Sequence, residues 1–402
     1  MRDETRRRTP IRDTTDGQGR LRVALYSHDA QGLGHIRRNL AIAHALSGMD
    51  EAPDLLLLTS APDAAHAGRP SGCDIVSLPA LAKDGAGRYG ARHLSVDPAQ
   101  LSEMRTAVLH AALASFRPDV LIVDKHPRGF RGELEPALDA VRAHGARVVL
   151  GIRDVLDDAH TAAREWREAE GAAALAAWYD EVWVYGDRDV HDPLAGLETP
   201  ARVRYTGYLA HGRPAPRMRT RADEPFVLAM VGAGQDGAHV AHAFARSRLP
   251  EGHRGVVIAG PHMPDPAVHA LRAIAAERDD LRVVRSAPDA AGLIARAAAV
   301  VGMGGYNTVC EALAARAPLL VVPRVEPRLE QLVRAEALAR RGALDVVLPD
   351  DLSPDAISAW TARAIRRAPR PAPPIDLDGL SRLPRLFADL VGMRTEESRH
   401  VA

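Results

Sequence analysis

Gly302-Met303-Gly304-Gly305-Tyr306-Asn307-Thr308-Val309-Cys310-Glu311 follows an apolar run, Ala299-Val300-Val301, and precedes Pro318-Leu319-Leu320-Val321-Val322-Pro323-Arg324. A strand runs into glycines, the glycines run into a helix, and the helix ends before a second buried strand. Glycines at that junction let the backbone approach a ligand closely, and the free N–H groups of the helix's first turn bind phosphate. Glu311 shares a helix face with Thr308 and lies where a carboxylate can reach the vicinal hydroxyls of a ribose. Its plainer reading is a surface Glu on an amphipathic helix. Taken together, the stretch predicts a site for a nucleotide diphosphate.

The same rhythm extends in both directions. Strands are expected at Leu21–Tyr26, Asp54–Leu58, Ile75–Leu78, Val120–Val123, Arg147–Leu150 and Glu181–Val184, with helices over 35–47, 98–115, 131–144 and 158–177. A Pro-, Gly- and charge-rich break over 211–225 reads as a linker. A second series then starts at Phe226–Val231 and continues through Gly255–Ala259, Leu281–Val284, Ala298–Val301 and Leu319–Val322 to Asp345–Leu348. Helices are expected near 237–246, 266–277, 289–296, 306–315, 329–341 and, after a Pro-rich stretch, 378–391. The fold class is α/β: two doubly wound Rossmann-like domains, 21–210 and 226–372. A polar tail covers 1–20, and 373–402 forms a final helix and tail.

Composition narrows the function. With 402 residues, 46% hydrophobic and 26% charged, the chain can bury two cores. Basic and acidic residues balance at 52 each, which removes the global electrostatic case for nucleic acid. Nearly every basic residue is Arg; Lys stands only at 83 and 125. Cys73 and Cys310 are far apart, form no metal spacing and read as small buried residues in a reducing compartment. No run of about 18 apolar residues is present, and the N-terminus has no secretory pattern. The expected location is cytoplasmic.

Further clusters follow other strands. Ser27-His28-Asp29-Ala30-Gln31-Gly32-Leu33-Gly34-His35 opens the first helix, but it lacks the third glycine of the dinucleotide fingerprint. His35 falls at a helix start on the carboxyl edge of the sheet, where it can take a proton from a hydroxyl or merely cap the helix. Gly232-Ala233-Gly234-Gln235 forms a second small-residue turn, suited to a phosphate or base. Pro323-Arg324-Val325-Glu326-Pro327-Arg328-Leu329-Glu330-Gln331 offers sugar-binding side chains, with Arg324 and Arg328 as phosphate neighbours. Asp124-Lys125-His126-Pro127-Arg128-Gly129 and Arg153-Asp154-Val155-Leu156-Asp157-Asp158 also end strands. Asp124 and Asp154 are further candidates for the base, or partners in buried ion pairs. Asp187-Arg188-Asp189 spells a metal motif of a different architecture and reads as a capping turn.

The ordered set Gly304, Gly305, Thr308, Glu311, Pro323 and Gln331 resembles the GT-B glycosyltransferases. The branch is that of the lipid II-forming N-acetylglucosaminyltransferase and related bacterial glycosyltransferases. The resemblance covers roughly 21–390. It implies two domains facing a cleft, with the last helix crossing back to the first domain. It implies a nucleotide-sugar donor, with a UDP-sugar favoured, bound to the second domain, and a small-molecule or lipid-linked hydroxyl acceptor on the first. Peripheral contact with a membrane's inner face is compatible with a lipid-linked acceptor. Gly304, Gly305, Asn307 and Thr308 would face the diphosphate, Glu311 the ribose, and Glu330 and Gln331 the donor sugar. Gly34, Gly232, Gly234, Gln235 and Arg324 would complete the donor surroundings, with His35 as candidate base or phosphate neighbour. Transfer would invert configuration and need no metal or other cofactor. A UDP-sugar 2-epimerase or hydrolase, or a non-catalytic nucleotide-sugar-binding protein, is the alternative.

Overall fold

The computed structural model describes residues 19–28, 34–61, 68–83, 89–213, 224–287, 289–367 and 374–392. The tail over 1–18, most of the loop before Gly34, most of the 211–225 linker, and residues 373 and 393–402 lie outside them.

The first half contains β1 (Arg22–Ser27), α1 (Gly34–Ser47), β2 (Asp54–Thr59), β3 (Cys73–Ser77), a hairpin of β4 (Leu81–Lys83) and β5 (Tyr89–Ala91), and α2 (Pro98–Phe116). It continues with β6 (Val120–Asp124), α3 (Glu135–Ala143), β7 (Arg147–Arg153), α4 (Ala159–Glu168), α5 (Gly171–Trp178), β8 (Glu181–Tyr185) and β9 (Arg202–Tyr205). Its seven-stranded sheet has the order β3-β2-β1-β6-β7-β8-β9, with every pairing parallel. Central strands β6 and β8 are buried at every position, as expected when helices cover both faces of a parallel sheet.

The second half contains β10 (Phe226–Met230), α6 (Ala238–Arg246), β11 (Arg254–Ile258), α7 (Asp265–Ala276), β12 (Leu281–Val284), α8 (Ala290–Arg296) and β13 (Ala299–Gly302). Then come α9 (Tyr306–Ala314), β14 (Leu319–Val321), α10 (Glu330–Arg340), β15 (Asp345–Val346), α11 (Pro354–Arg366) and α12 (Gly379–Val391). The six-stranded sheet, again parallel, runs β12-β11-β10-β13-β14-β15.

In each sheet the winding reverses beside the first strand, between β1 and β6 and between β10 and β13. Loops leaving such neighbours diverge, and the crevice between them is where ligands collect. The two crevices face one another.

α12 returns to the first half, as the resemblance implied. Tyr208 N–H donates to Asp376 O at 2.8 Å, Gly379 N–H donates to Tyr208 O at 3.0 Å, and the helix lies along α1. Leu380, Leu383, Leu386 and Phe387 share one core with Leu40, Ile42 and Leu46 of α1. Each such side chain removed from water contributes about 1.5–3 kcal/mol.

Three features depart from the sequence expectation. The single helix over 158–177 is two helices, because Glu170 takes a left-handed conformation (φ 48°) and Gly171 sits against Trp166, where a Cβ would lie 2.4 Å from the indole. The hairpin β4–β5 and the edge strand β9 lie outside the expected strands: their segments are three to four residues long, too short to display a period. α11 covers α6 through Ile357 and Trp360.

Candidate functional site

The crevices merge into one cleft of ≈ 1880 Å³ between the carboxyl ends of the two sheets. Of the residues singled out from the sequence, Gly34, His35, Gly232, Gly234, Gln235, Gly305, Asn307, Thr308, Glu311, Arg324, Glu330 and Gln331 line it. Gly304, Asp124 and Asp154 stand behind its wall.

On the second-half side, α9 opens at Gly305 with no capping side chain, so no such group occupies its first-turn N–H donors. Gly304 must be glycine: its φ is +79°, and a Cβ there would meet Val321 Cγ1 at 2.8 Å. A Cβ on Gly305 would meet nothing within 4 Å, which leaves that face of the helix start open to a ligand. The Gly232 turn has the same character. Gly234 has φ +94°, and a Cβ would lie 2.3 Å from the Ala259 carbonyl oxygen.

Glu311 is buried and held on one side only. Its Oε1 accepts from Arg37 Nη2 at 2.5 Å and from Arg213 Nη1 at 3.3 Å, while Oε2 is buried with no partner. An orphaned carboxylate oxygen in a cleft wall costs about 1–3 kcal/mol or more unless something donates to it. Two guanidinium groups also meet this one carboxylate, so the mouth of α9 carries excess positive charge. Asn307 bridges the halves, donating to Gly34 O at 3.0 Å and accepting from Arg213 at 2.9 Å.

Facing α9 across the cleft, His35 and Asp124 come together. His35 Nδ1 lies 2.8 Å from Asp124 Oδ2, and Asp124 also accepts from Arg38 Nη2 at 2.7 and 2.5 Å. Burial raises the Asp124 pKa, but Arg38 and then His35 outweigh it and hold the carboxyl well below its usual range. With Asp124 ionised, the tautomer that donates from Nδ1 satisfies the shorter contact and leaves the Nε2 lone pair as the imidazole's acceptor, while Arg38 Nη2 is a further neighbour of Nδ1 at 3.1 Å. Behind His35 lie the rings of His28, at 5.4 Å between centroids, and His126, 4.3 Å from His28. Burial holds both well below the usual histidine range, with the charge of nearby groups adding to it. They wall the dyad as neutral rings.

At the floor, the α10 start meets the end of β7. Arg153 Nη2 donates to Glu330 Oε2 at 2.5 Å, and Arg328 Nη1 donates to Asp157 Oδ2 at 2.9 Å. Burial raises the Glu330 pKa, but Arg153 and Arg334 override it and keep the carboxylate ionised well below its usual range. Gln331 Oε1 accepts from the Arg324 backbone N–H at 2.9 Å and thereby shapes the loop above it.

Three sequence expectations need correction. Asp154 does not reach the cleft: it is fully buried, and both its oxygens are engaged by Arg334 at 2.7–3.0 Å. Arg334 in turn donates to the Gly304 carbonyl at 3.0 Å, so Asp154 acts on the glycine turn and not on a proton. Arg324 and Arg328 are each held between two carboxylates, so little of their charge is left for a phosphate, although Arg324 keeps a buried Nε without a partner. Arg324 is shared between Asp236 at 2.8 Å and Glu330 at 3.3 Å, and Arg328 between Asp157 and Glu165 at 2.5 Å. The cations at the helix mouth are instead Arg37 and Arg213. Sequence reading passed over both, one inside α1 and one at the start of a linker; the i+2 spacing of Arg37 from His35 was the only signal.

Asp187 and Asp189 form a turn: Asp187 accepts from the backbone N–H groups of Asp189 and Asp376, each at 2.9 Å. Among the described residues no group of three or more His, Cys, Asp or Glu is placed to hold a metal ion. No described helix is long and apolar enough to cross a membrane. Both cysteines are free and buried.

This architecture, two facing doubly wound sheets with a returning terminal helix, is that of the GT-B glycosyltransferases. Residues 259–376 match the glycosyltransferase family 28 C-terminal domain, which spans α9, the Pro323 loop and α10. Among solved structures, CalG4, the calicheamicin glycosyltransferase, is similar with 16% identity over 95% of this chain and 98% of its own, at a TM-score of 0.57. MurG of Acinetobacter baumannii is similar with 15% identity over 95% and 98%, at 0.51. A candidate UDP-N-acetylglucosamine 2-epimerase of Listeria monocytogenes is similar with 13% identity over 92% and 96%, at 0.63. At these identities the structures report the fold, which hosts more than one reaction. No curated protein matches the sequence.

Proposed function

We propose that the cleft transfers a sugar from a nucleotide-diphosphate sugar, a UDP-sugar before others, to a hydroxyl acceptor, in one inverting displacement without a metal. The observation that carries this reading is the His35–Asp124 dyad, 2.8 Å apart, facing an uncapped helix start across the same cleft. The diphosphate fits the α9 mouth, where the N–H groups, the helix dipole and the excess charge of Arg37 and Arg213 stabilise the negative charge that develops on departure. Glu311 Oε2 is the acceptor waiting for a ribose hydroxyl. Glu330 and Gln331 border the donor sugar. His35 Nε2 takes the proton of the attacking hydroxyl, and the ionised Asp124 steadies the imidazolium that forms. The new bond joins the acceptor oxygen to the anomeric carbon as the bond to the diphosphate oxygen breaks on the opposite face. The acceptor is a small molecule or a lipid-linked sugar approaching from the first half.

The test is an acceptor screen with UDP-sugars, run beside His35→Ala and a control without acceptor. Product that needs acceptor and falls about 10²–10⁴-fold in His35→Ala supports transfer. Conversion of the UDP-sugar alone, unaffected by acceptor, replaces it with epimerisation or hydrolysis. Binding without any turnover leaves a nucleotide-sugar-binding protein.

A further inference from the structure

The chain carries only two lysines, Lys83 and Lys125, among 52 basic residues. One of the two stands in the cleft, directly after Asp124. Lys125 ends β6 in a left-handed conformation (φ 70°), uncommon for a residue with a side chain, with its N–H bonded to Gly151 O at 2.8 Å. This backbone setting fixes where the side chain leaves the sheet.

The charged groups acting most strongly on Lys125 are Arg153, Glu330, Arg328 and Glu165. These four are already paired, Arg153 with Glu330 and Arg328 with Glu165 and Asp157. Among the described residues no hydrogen bond or ion pair holds the Lys125 ammonium, and Arg153, which ends the adjacent strand β7 and also lines the cleft, has its Nε buried without a partner. Burial, with Arg153 adding to it, pulls the Lys125 pKa down to about 8. A cation held this way, with an unpartnered guanidinium donor on the neighbouring strand end, is stabilised by an incoming anion. The diphosphate is not that anion, since its cations are Arg37 and Arg213 around Glu311, a separate group.

We infer that Lys125, backed by Arg153, is a subsite for a second anionic group, a carboxylate or phosphate carried by one of the two reacting substrates. This rests on the sugar-transfer reading above for the identity of those substrates. Lys125 lies between Asp124, which orients the base, and Glu330 at the donor-sugar end, so either substrate can bring the charge.

The test uses the scarcity of lysine. With ¹³C-labelled lysine the intact chain gives two ε-methylene signals, and Lys83→Arg assigns them. Lys125 is titrated alone, then with UDP, UDP-glucose, UDP-glucuronate, and UDP plus glucose 6-phosphate. A rise of its pKa by a unit or more with UDP-glucuronate but not UDP-glucose places the anion on the donor sugar. A rise only with glucose 6-phosphate places it on the acceptor. In either case the charged probe should bind at least tenfold more weakly to Lys125→Met and recover in Lys125→Arg, with melting temperatures confirming that both fold. If nucleotides bind and Lys125 titrates identically with every probe, the subsite is overturned. If no nucleotide binds, the sugar-transfer reading fails on its own. The response to glucose 6-phosphate alone then decides: a shift keeps the anion subsite and no shift removes it.

Discussion

At the scale of single residues, the site is organised by what is left unpaired. Glu311 spends one oxygen on Arg37 and Arg213 and keeps the other buried and free. Glu311→Gln should therefore weaken donor binding by roughly tenfold, about 1.4 kcal/mol, while the fold persists; calorimetric titration with UDP checks it. His35 is different in kind, being partly exposed on the cleft wall. His35→Ala should leave donor affinity intact and remove turnover. Asp124→Asn combines two effects. It allows the wrong imidazole tautomer, and it leaves the buried Arg38 guanidinium without its counter-charge, a loss of about 3–5 kcal/mol. Denaturant unfolding should show that loss for Asp124→Asn and not for His35→Ala. Of these groups, Asp124 was legible at a strand end, and His35 and Glu311 in the helices that follow strands. Their pairing was not, because His35 and Asp124 are 89 positions apart and only the β1–β6 neighbourhood unites them. Asp154 carried the same sequence signal as Asp124 and was placed behind the wall by Arg334, a residue whose helix position advertised nothing.

At the scale of elements, the βαβ rhythm was readable because long buried strands and amphipathic helices each have a period, whereas β4, β5 and β9 are too short to show one. The glycine turns separate two roles that the sequence could not distinguish. Gly304→Ala forces a Cβ to 2.8 Å from Val321 at positive φ and should lower stability by about 1–3 kcal/mol. Gly305→Ala meets no neighbour and should leave the melting temperature unchanged, yet lower donor affinity by obstructing the α9 mouth. A thermal melt and a UDP titration on the two variants check the contrast. Equal effects of both substitutions on stability would contradict it.

At the scale of the whole molecule, the halves are joined across the cleft floor by Asp154–Arg334, Arg153–Glu330 and Asp157–Arg328, and across its mouth by Arg37–Glu311. This network sets the pH response. Asp124 and Glu330 have folded pKa values below their unfolded ones, so the unfolded state binds more protons as pH falls. Their contribution is present above about pH 4 and is lost below it. His28 and His126 are also lowered, so the unfolded state takes up their protons first, below about pH 6.5. Melting temperature should therefore be level between about pH 7 and 8, decline below 6.5, and fall steeply below 4. Substituting Gln for both histidines should lessen the first decline, to which His191 and His242 also contribute, and keep the second.

In the proposed function one cleft holds a nucleotide diphosphate on α9 and a proton-accepting dyad opposite it. Calorimetric titration of UDP- and dTDP-sugars into the wild type, Glu311→Gln and His35→Ala tests it most directly. One nucleotide class should bind, weakened about tenfold in Glu311→Gln and unchanged in His35→Ala. Absence of binding to every nucleotide sugar, or equal binding to wild type and Glu311→Gln, would contradict it.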